Sequence, residues 1–375
     1  MVYCRKMYTE VTEMDNSFDL IQKNFGFGFM RLPMDGEYVD IPQTIQMVDT
    51  FLENGFNYFD TAHGYINGKS ELAIKECLSS RYPRDRFLLA NKLSIHYFNR
   101  EEDIRPLFQQ QLDACGVEYF DFYLMHAMSA VRMPHFESNR AFEIVQELKR
   151  EGKIHHIGIS FHDKADVLDE ILTNHPEIEF VQIQFNYVDF EDEKVESRKC
   201  YEVCRKHGKP VIIMEPVKGG SLVNLPPAAQ KILDRLEGGS NASYAIRFAA
   251  GFEGVMMTLS GMSTIAQMKD NIGFMKEYRP LNAEEVQAVQ KVCAVFRNQG
   301  LIPCTTCRYC TEVCPQNISI PELFSAVNAK RNDKAVPTVC GGMPAECINC
   351  GKCEDICPQN LKIRELLTVA AEELF

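Results

Sequence analysis

Between Lys23 and Lys276 the chain alternates short apolar runs with longer amphipathic stretches, and this alternation limits the fold more than any other feature. The runs are Phe25–Met30, Phe56–Asp60, Phe87–Lys92, Phe120–His126, His155–Ser160, Phe180–Gln184, Pro210–Glu215 and Val255–Ser260. They are rich in β-branched, aromatic and other apolar side chains, as strands covered on both faces are. The stretches between them read as helices: Ser70–Ser80, Glu101–Cys115, Arg140–Glu151 (stopped by Gly152), Asp163–Asn174, Glu193–His207 and Thr264–Lys276. Eight strand–helix units in about 250 residues predict an α/β fold of the closed (β/α)8 type, a TIM barrel. An open doubly wound sheet is the alternative, but it normally carries a glycine-rich phosphate loop after its first strand. Gly26-Phe27-Gly28-Phe29-Met30 does not meet that pattern.

Cysteine governs the C-terminal part. Cys304, Cys307, Cys310 and Cys314 precede Pro315, and Cys347, Cys350, Cys353 and Cys357 precede Pro358. Both copies read C-x-x-C-x-x-C-x-x-x-C-P. Three thiolates at this spacing wrap one face of an iron–sulfur cube, and the fourth points at the other cube. Two [4Fe–4S] clusters with crossed ligation are therefore expected. Cys304, Cys307, Cys310 and Cys357 would hold one, and Cys347, Cys350, Cys353 and Cys314 the other. Structural zinc also uses C-x-x-C pairs, but it needs neither a third step nor Cys-Pro twice. The segment resembles bacterial-type two-cluster ferredoxins, with an insertion expected around Arg331 to Pro344. The expected division is a barrel over 1–280, a linker helix (Ala283–Phe296) within 281–302, and a small α-helical, ferredoxin-like module over 303–375.

The seven other cysteines, Cys4, Cys77, Cys115, Cys200, Cys204, Cys293 and Cys340, read as free thiols, mostly buried. Cys200 and Cys204 lie four apart on a helix but lack further ligands nearby. So many reduced cysteines imply a cytoplasmic location. The net charge of −12 over 375 residues argues against nucleic acid or an anionic membrane as partners. No signal-peptide h-region and no apolar run near the roughly 20 residues of a membrane span is expected.

In a TIM barrel the chemistry sits where strands end. The second run ends in Asp60, with Tyr65 in the loop beyond; the third ends in Lys92; the fourth ends in His126. A phenol is a poor acid at pH 7. A nearby ammonium stabilises its anion, an aspartate keeps that ammonium aimed, and a histidine can orient a carbonyl oxygen. The four together suit protonation of a carbonyl oxygen while hydride arrives at carbon. Taken singly, Asp60 could be a helix cap, Lys92 a loop charge and His126 a packed core histidine.

Over Phe25 to Tyr278 these residues resemble the aldo-keto reductases. Asp60-Thr61-Ala62-His63-Gly64-Tyr65, continued by Ser70-Glu71, is similar to the family's D-T-A-x-x-Y signature. The resemblance implies Tyr65 as proton donor, Lys92 and Asp60 as its tuners, His126 as the carbonyl-orienting group, and binding of NADP or NAD without a Rossmann fold. For the cofactor it implies Ser160 and Gln182 at the carboxamide and Met214 where an aromatic normally stacks on the nicotinamide. Ser260, Gly261, Gln267 and Asn271 fall on the adenosine-phosphate segment. Phe161 replaces the asparagine that usually follows the serine, and Gln267 an arginine that often grips the 2′-phosphate. Met30, Arg31, His96 and Met128 are candidates to line the substrate pocket.

The chain as a whole resembles the iron–sulfur-carrying branch of that family. Nicotinamide moves two electrons as hydride and a [4Fe–4S] cluster moves one, so a flavin normally mediates; the sequence carries no strong flavin fingerprint, but the barrel mouth could hold a second cofactor such as a flavin. Three readings stay open at this point. The clusters relay electrons between carbonyl reduction and a ferredoxin-like carrier; or they form a structural cap on a conventional reductase of a small-molecule carbonyl; or the chain is a non-catalytic redox sensor.

Overall fold

A computed structural model of the chain describes residues 18, 20–332 and 334–375; Cys4 lies outside them. The eight apolar runs form eight parallel strands closed into a barrel, with each strand beside its neighbours in sequence and the last beside the first. We number them β1 (Phe25–Gly28), β2 (Tyr58–Asp60), β3 (Leu88–Leu93), β4 (Phe120–Met128), β5 (Ile154–Phe161), β6 (Phe180–Gln184), β7 (Val211–Met214) and β8 (Val255–Gly261).

The helices fall where expected, at Glu101–Cys115, Ala141–Arg150, Ala165–Asn174, Ser197–Lys206 and Ile265–Met275. The stretch Ser70–Ser80 is an α-helix, Lys69–Ile74, that widens into a π turn at Lys75–Ser79. Two further helices, Ile41–Glu53 and Asn241–Ala250, follow β1 and β7. The first carries a readable start signal: Asp40 caps it, accepting Gln43 N–H at 3.0 Å, and Pro42 sits in its first turn.

Period-two alternation explains how the barrel aims its rim. A buried cluster that includes Tyr58, Leu88, Ala90, Phe122, Leu124, Phe180 and Ile212 fills the interior. Phe18 packs into the same cluster, stacked on Phe122 at 6.2 Å and edge-on to Phe180 at 6.5 Å. Along each strand the residue two further on shares this inward face. Tyr58 is followed in its row by Asp60, Leu88 and Ala90 by Lys92, Phe122 and Leu124 by His126, Phe180 by Gln182, and Ile212 by Met214. Each row is apolar or aromatic until the strand's C-terminal end, where the candidate site residues stand. On β5, Gly158 makes room for this packing. A Cβ there would lie 2.4 Å from the Phe180 ring.

The chain forms two compact units, one of residues up to Pro216 with Ser243–Leu281, the other of Val217–Ala242 with Asn282–Phe375. The sequence reading placed the boundary at 280 and took 281–302 as a linker. In the structure the helix Ala283–Asn298 buries Ala288, Val289 and Val292 and contacts the helix Pro227–Leu233 of the same unit.

The remainder of the second unit is an internal duplication. A short helix, Tyr309–Glu312, and a longer one, Ile320–Arg331, are matched by Lys352–Asp355 and Ile363–Leu374. The backbone repeats in detail. Thr306, Arg308 and Asn317 have positive φ, and so do their counterparts Asn349, Gly351 and Asn360. The two halves share one core in which Leu323, Phe324, Ile363 and Leu367 pack with Cys310, Cys353 and Cys357. Among the described residues no helix is long and apolar enough to cross a membrane.

Candidate active site

The residues read as a proton-transfer group converge at the C-terminal ends of β2, β3 and β4. Lys92 Nζ donates to Asp60 Oδ1 at 2.7 Å and to the Thr61 carbonyl oxygen at 2.7 Å. It lies 4.8 Å from the centroid of the Tyr65 ring. The Tyr65 ring in turn meets the His126 ring edge-on at 6.0 Å. Lys92 is 1% exposed and Asp60 3%. Burial works against both charges, lowering the lysine pKa and raising the aspartate's, while their mutual attraction opposes each shift. A pair desolvated to this degree survives only when well hydrogen-bonded, and the Thr61 carbonyl supplies the second acceptor.

His126 is held neutral. Its surroundings push its pKa well below the ordinary histidine value, first by burial and then by positive neighbours, led by Lys92. Ser94 Oγ lies 2.6 Å from His126 Nδ1 and fixes the ring. Ser94 stands two residues beyond Lys92, in the same inward row, so the alternation that found the lysine also points to it.

A buried polar chain ties the loop bearing Tyr65 to the strand bearing Lys92. Glu71, 1% exposed, binds His63 Nδ1 through Oε2 at 2.8 Å and accepts from Asn91 Nδ2 through Oε1 at 2.8 Å. Gln111 Nε2 donates to the Lys92 carbonyl oxygen at 2.9 Å and to Asn91 Oδ1 at 3.3 Å, while its Oε1 accepts from Tyr123 OH at 2.6 Å. The sequence reading passed over Asn91, Gln111 and Tyr123, because nothing local links positions 20 and 32 residues apart.

The residues read as cofactor contacts divide by geometry. Ser160 Oγ accepts the Ala127 N–H at 2.7 Å. Gln182 is 3% exposed, and its Oε1 is buried without a hydrogen-bond partner. A buried amide oxygen left unpaired is costly, and an N–H of a bound carboxamide fits the vacancy. Met214 is partly exposed at the end of its inward row. Asn271 Nδ2 donates to Ser260 Oγ at 2.9 Å, joining the helix Ile265–Met275 to β8. Gln267 Oε1 accepts the Ser263 N–H at 2.7 Å, and Gly261 ends β8.

In the second unit the cysteines form two sets. One pocket is lined by Cys314, Cys347, Cys350 and Cys353, with Ile318, Ile320 and Leu367. Around Cys310 the charged neighbours are Cys307, Cys304 and Cys357; burial raises its thiol pKa and these three raise it further. Each set thus draws three cysteines from one copy of the motif and the last from the other. Among the described residues, no three His, Cys, Asp or Glu side chains close up on the scale of a single metal ion.

The sequence profile of the aldo/keto reductase family matches residues 24–294. The chain belongs to that family. A 4Fe–4S dicluster domain matches residues 303–361 of the same reductase. An uncharacterized oxidoreductase of Schizosaccharomyces pombe is 26% identical over 268 residues, 68% of this chain and 82% of its own length. The NADH-specific methylglyoxal reductase of Escherichia coli is 29% identical over 197 residues, 47% of this reductase and 57% of that one. Among solved structures, the holo form of aldo-keto reductase AKR11C1 from Bacillus halodurans superposes with a TM-score of 0.58 at 27% identity, covering 72% of this chain and 91% of that one. An aldo-keto reductase from Klebsiella pneumoniae in complex with NADPH has the same fold, with a TM-score of 0.58 at 17% identity over 72% of this chain and 90% of its own.

Proposed function

We propose that this oxidoreductase reduces the carbonyl group of a small aldehyde or ketone, with Tyr65 as proton donor. The observation that carries the reading is the buried contact of Lys92 with Asp60, set against the Tyr65 ring and next to a neutral His126. A bound NADPH or NADH supplies the hydride. Lys92 stabilises the phenolate that Tyr65 becomes on giving up its proton. Asp60 and the Thr61 carbonyl keep the ammonium in place. His126, with Nδ1 engaged by Ser94, has Nε2 left to hydrogen-bond the substrate oxygen. Ser160, Gln182 and Met214 are the residues we assign to the nicotinamide ring, and Ser260, Gly261, Gln267 and Asn271 to the adenosine-phosphate end. The unpaired Gln182 oxygen supports the first group.

The second unit, in this reading, carries two [4Fe–4S] clusters with crossed ligation and exchanges electrons with a ferredoxin-like carrier.

Replacing Tyr65 with Phe tests the catalytic part. Turnover of a panel of aldehydes falls by about 10²–10⁴-fold, while calorimetric binding of the nicotinamide and the visible cluster spectrum stay as in the parent. Undiminished turnover in the variant refutes Tyr65 as the donor. An anaerobic visible spectrum before and after NADPH or NADH tests the relay. Bleaching of the cluster absorbance supports it, and clusters that only dithionite reduces point to a structural role.

A further inference from the structure

The internal duplication of the second unit allows its two cysteine loops to be compared position by position. Cys304, Thr305, Thr306 and Cys307 in the first copy correspond to Cys347, Ile348, Asn349 and Cys350 in the second. The backbones agree down to the positive φ of Thr306 (54°) and Asn349 (57°). A difference in exposure therefore reports what covers each loop, not how the loop is folded. Thr305 is 2% exposed, and its counterpart Ile348 is 59% exposed. Cys307 is half-buried, and its counterpart Cys350 is exposed.

The cover over the first loop comes from the same unit. Gly219, in the 3-10 turn Lys218–Gly220, lies so close to the Thr305 backbone that a Cβ there would stand 2.7 Å from Thr305 Cα. Its φ of 62° also lies in the region that favours glycine. Leu222 and Leu225, which follow the turn, are both buried and pack this cover in place. On the second loop Ile348, Asn349, Cys350 and Lys352 all face solvent. Ile348 is at once exposed and part of the wall of the pocket that Cys314, Cys347, Cys350 and Cys353 line. A body that touches Ile348 from outside therefore reaches the edge of that site.

A polar threonine stands where the loop is covered and an apolar isoleucine where it is open, the reverse of what burial alone selects. The open patch is small, one isoleucine bordered by Asn349, Cys350 and Lys352. A permanent subunit partner needs a far larger apolar face, whereas weak electron-transfer encounters use little surface. Thiols from both copies in one pocket suit cluster iron, and such a cluster hands over single electrons.

We propose that the cluster on Cys347, Cys350 and Cys353 is the one that exchanges electrons with a carrier protein, which docks on the Ile348 loop, while the cluster on Cys304, Cys307 and Cys310 is the covered one. In each encounter one electron leaves the reduced carrier and enters this cluster, or passes back to the oxidised carrier, with no bond made or broken. This inference rests on the two-cluster relay reading above and names the surface that the relay uses.

The test uses a [2Fe–2S] ferredoxin, whose visible spectrum differs from that of a [4Fe–4S] cluster, and the cluster-loaded protein, mixed anaerobically by stopped flow. Both directions are followed, reduced ferredoxin with oxidised protein and dithionite-reduced protein with oxidised ferredoxin. In I348E the second-order rate constant falls about tenfold, the loss expected of a central contact. R308E makes a larger change of charge on the first loop, where the Arg308 side chain is 64% exposed, and leaves the rate constant as in the parent. Iron content and reduction by dithionite match the parent in both variants. Hydrogen exchange of the parent serves should I348E lose its cluster: oxidised ferredoxin protects the amides of 347–352 and leaves those of 304–309 unchanged. An I348E variant that exchanges electrons as fast as the parent overturns the proposal, as does an R308E variant slowed as much, or protection confined to 304–309; the relay reading survives all three. No exchange with the parent in either direction, with clusters that dithionite still reduces, overturns the relay reading and the proposal with it.

Discussion

Asp60→Asn isolates the charge at the centre of the site. The substitution keeps the size of the side chain and one acceptor oxygen, and removes the charge opposite Lys92, whose Nζ is 2.7 Å from Asp60 Oδ1. The ammonium keeps the Thr61 carbonyl oxygen at 2.7 Å and the Tyr65 ring at 4.8 Å. Breaking a buried ion pair from one side costs about 3–5 kcal/mol. Deprotonation sets a ceiling, since a buried lysine can shed its proton. From an ordinary pKa of about 10.4, at about 1.36 kcal/mol per unit, that costs about 4.6 kcal/mol at pH 7 and about 1.9 kcal/mol at pH 9. In the variant the folded state binds the Lys92 proton less readily than the unfolded state does. The unfolded state therefore carries more protons across that window, and stability rises with pH. The deficit against the parent protein is thus about 3–4.6 kcal/mol at pH 7 and less than about 2 kcal/mol at pH 9. Native-state hydrogen exchange of the β3 amides, followed by mass spectrometry, reads this without requiring two-state unfolding of a two-unit protein. At pH 7 exchange accelerates by about 10²–10³-fold relative to the parent measured alongside. A deficit below about 1 kcal/mol at pH 7, or one that does not shrink by pH 9, refutes the argument. The double variant with Lys92→Met recovers most of the loss, because an apolar replacement of a whole buried pair is often neutral.

The neutral state of His126 makes a pH prediction. Its folded pKa lies well below the unfolded value of 6.5, so stability is intact above 6.5 and declines as pH falls below it, by about 1.36 kcal/mol per unit until the folded value is reached. In ¹³C-labelled protein the His126 ring does not titrate near pH 6.5, and a His126→Asn variant lacks that part of the acid loss; a ring titrating at 6.5 or above contradicts this. Crossed ligation predicts unequal double variants. Cys307→Ser with Cys357→Ser damages one cluster and leaves about four of about eight irons, whereas Cys307→Ser with Cys314→Ser damages both; equal iron content in the two refutes the crossing. Gly158→Ala forces a methyl into the Phe180 ring and destabilises the barrel by about 1–3 kcal/mol, read as a lower thermal midpoint, with partial rescue by Phe180→Leu.

The barrel was legible because its strands announce themselves twice, as apolar runs and as inward rows of period two. Glu101–Cys115 was read with its observed bounds, since acidic residues crowd its first turn and Gly116, at φ 65°, ends it. The helix Asn241–Ala250 was passed over; its mix of Ala, Ser, Tyr and Phe follows a Gly-Gly turn without a strong polar face. Assignment of 217–242 to the second unit was not legible either. That grouping is made by contacts such as Lys334 Nζ with the Leu225 carbonyl oxygen at 3.0 Å, across 109 residues. The cysteine motifs were readable because ligand spacing is a local property. The crossing of their fourth members, expected from the Cys-Pro that ends each copy, awaits the double variants above.

Parity also separates the cofactor assignments in a way the motif alone does not. The strand pairing of β8 shifts register between Val255 and Met257, and Met256 and Met257 both pack in the interior, so strict alternation breaks there. Counted from Met257 and Leu259, which both pack in the barrel interior, the inward row ends at Gly261, and Ser260 faces the surrounding helices. The Ser260 hydroxyl is accordingly spent on Asn271. A dinucleotide reaching this strand must use the backbone at Ser260 and Gly261, or displace Asn271 from the serine. Gln182 has the opposite parity relation: it follows Phe180 in the interior row and retains an unpaired oxygen. Of the assigned cofactor side chains it is therefore the one whose replacement by Leu should weaken nicotinamide binding without loosening a helix from the barrel. Asn271→Leu should do both, lowering the thermal midpoint along with affinity, and a Gln182→Leu variant that binds the dinucleotide as the parent does would remove Gln182 from the site.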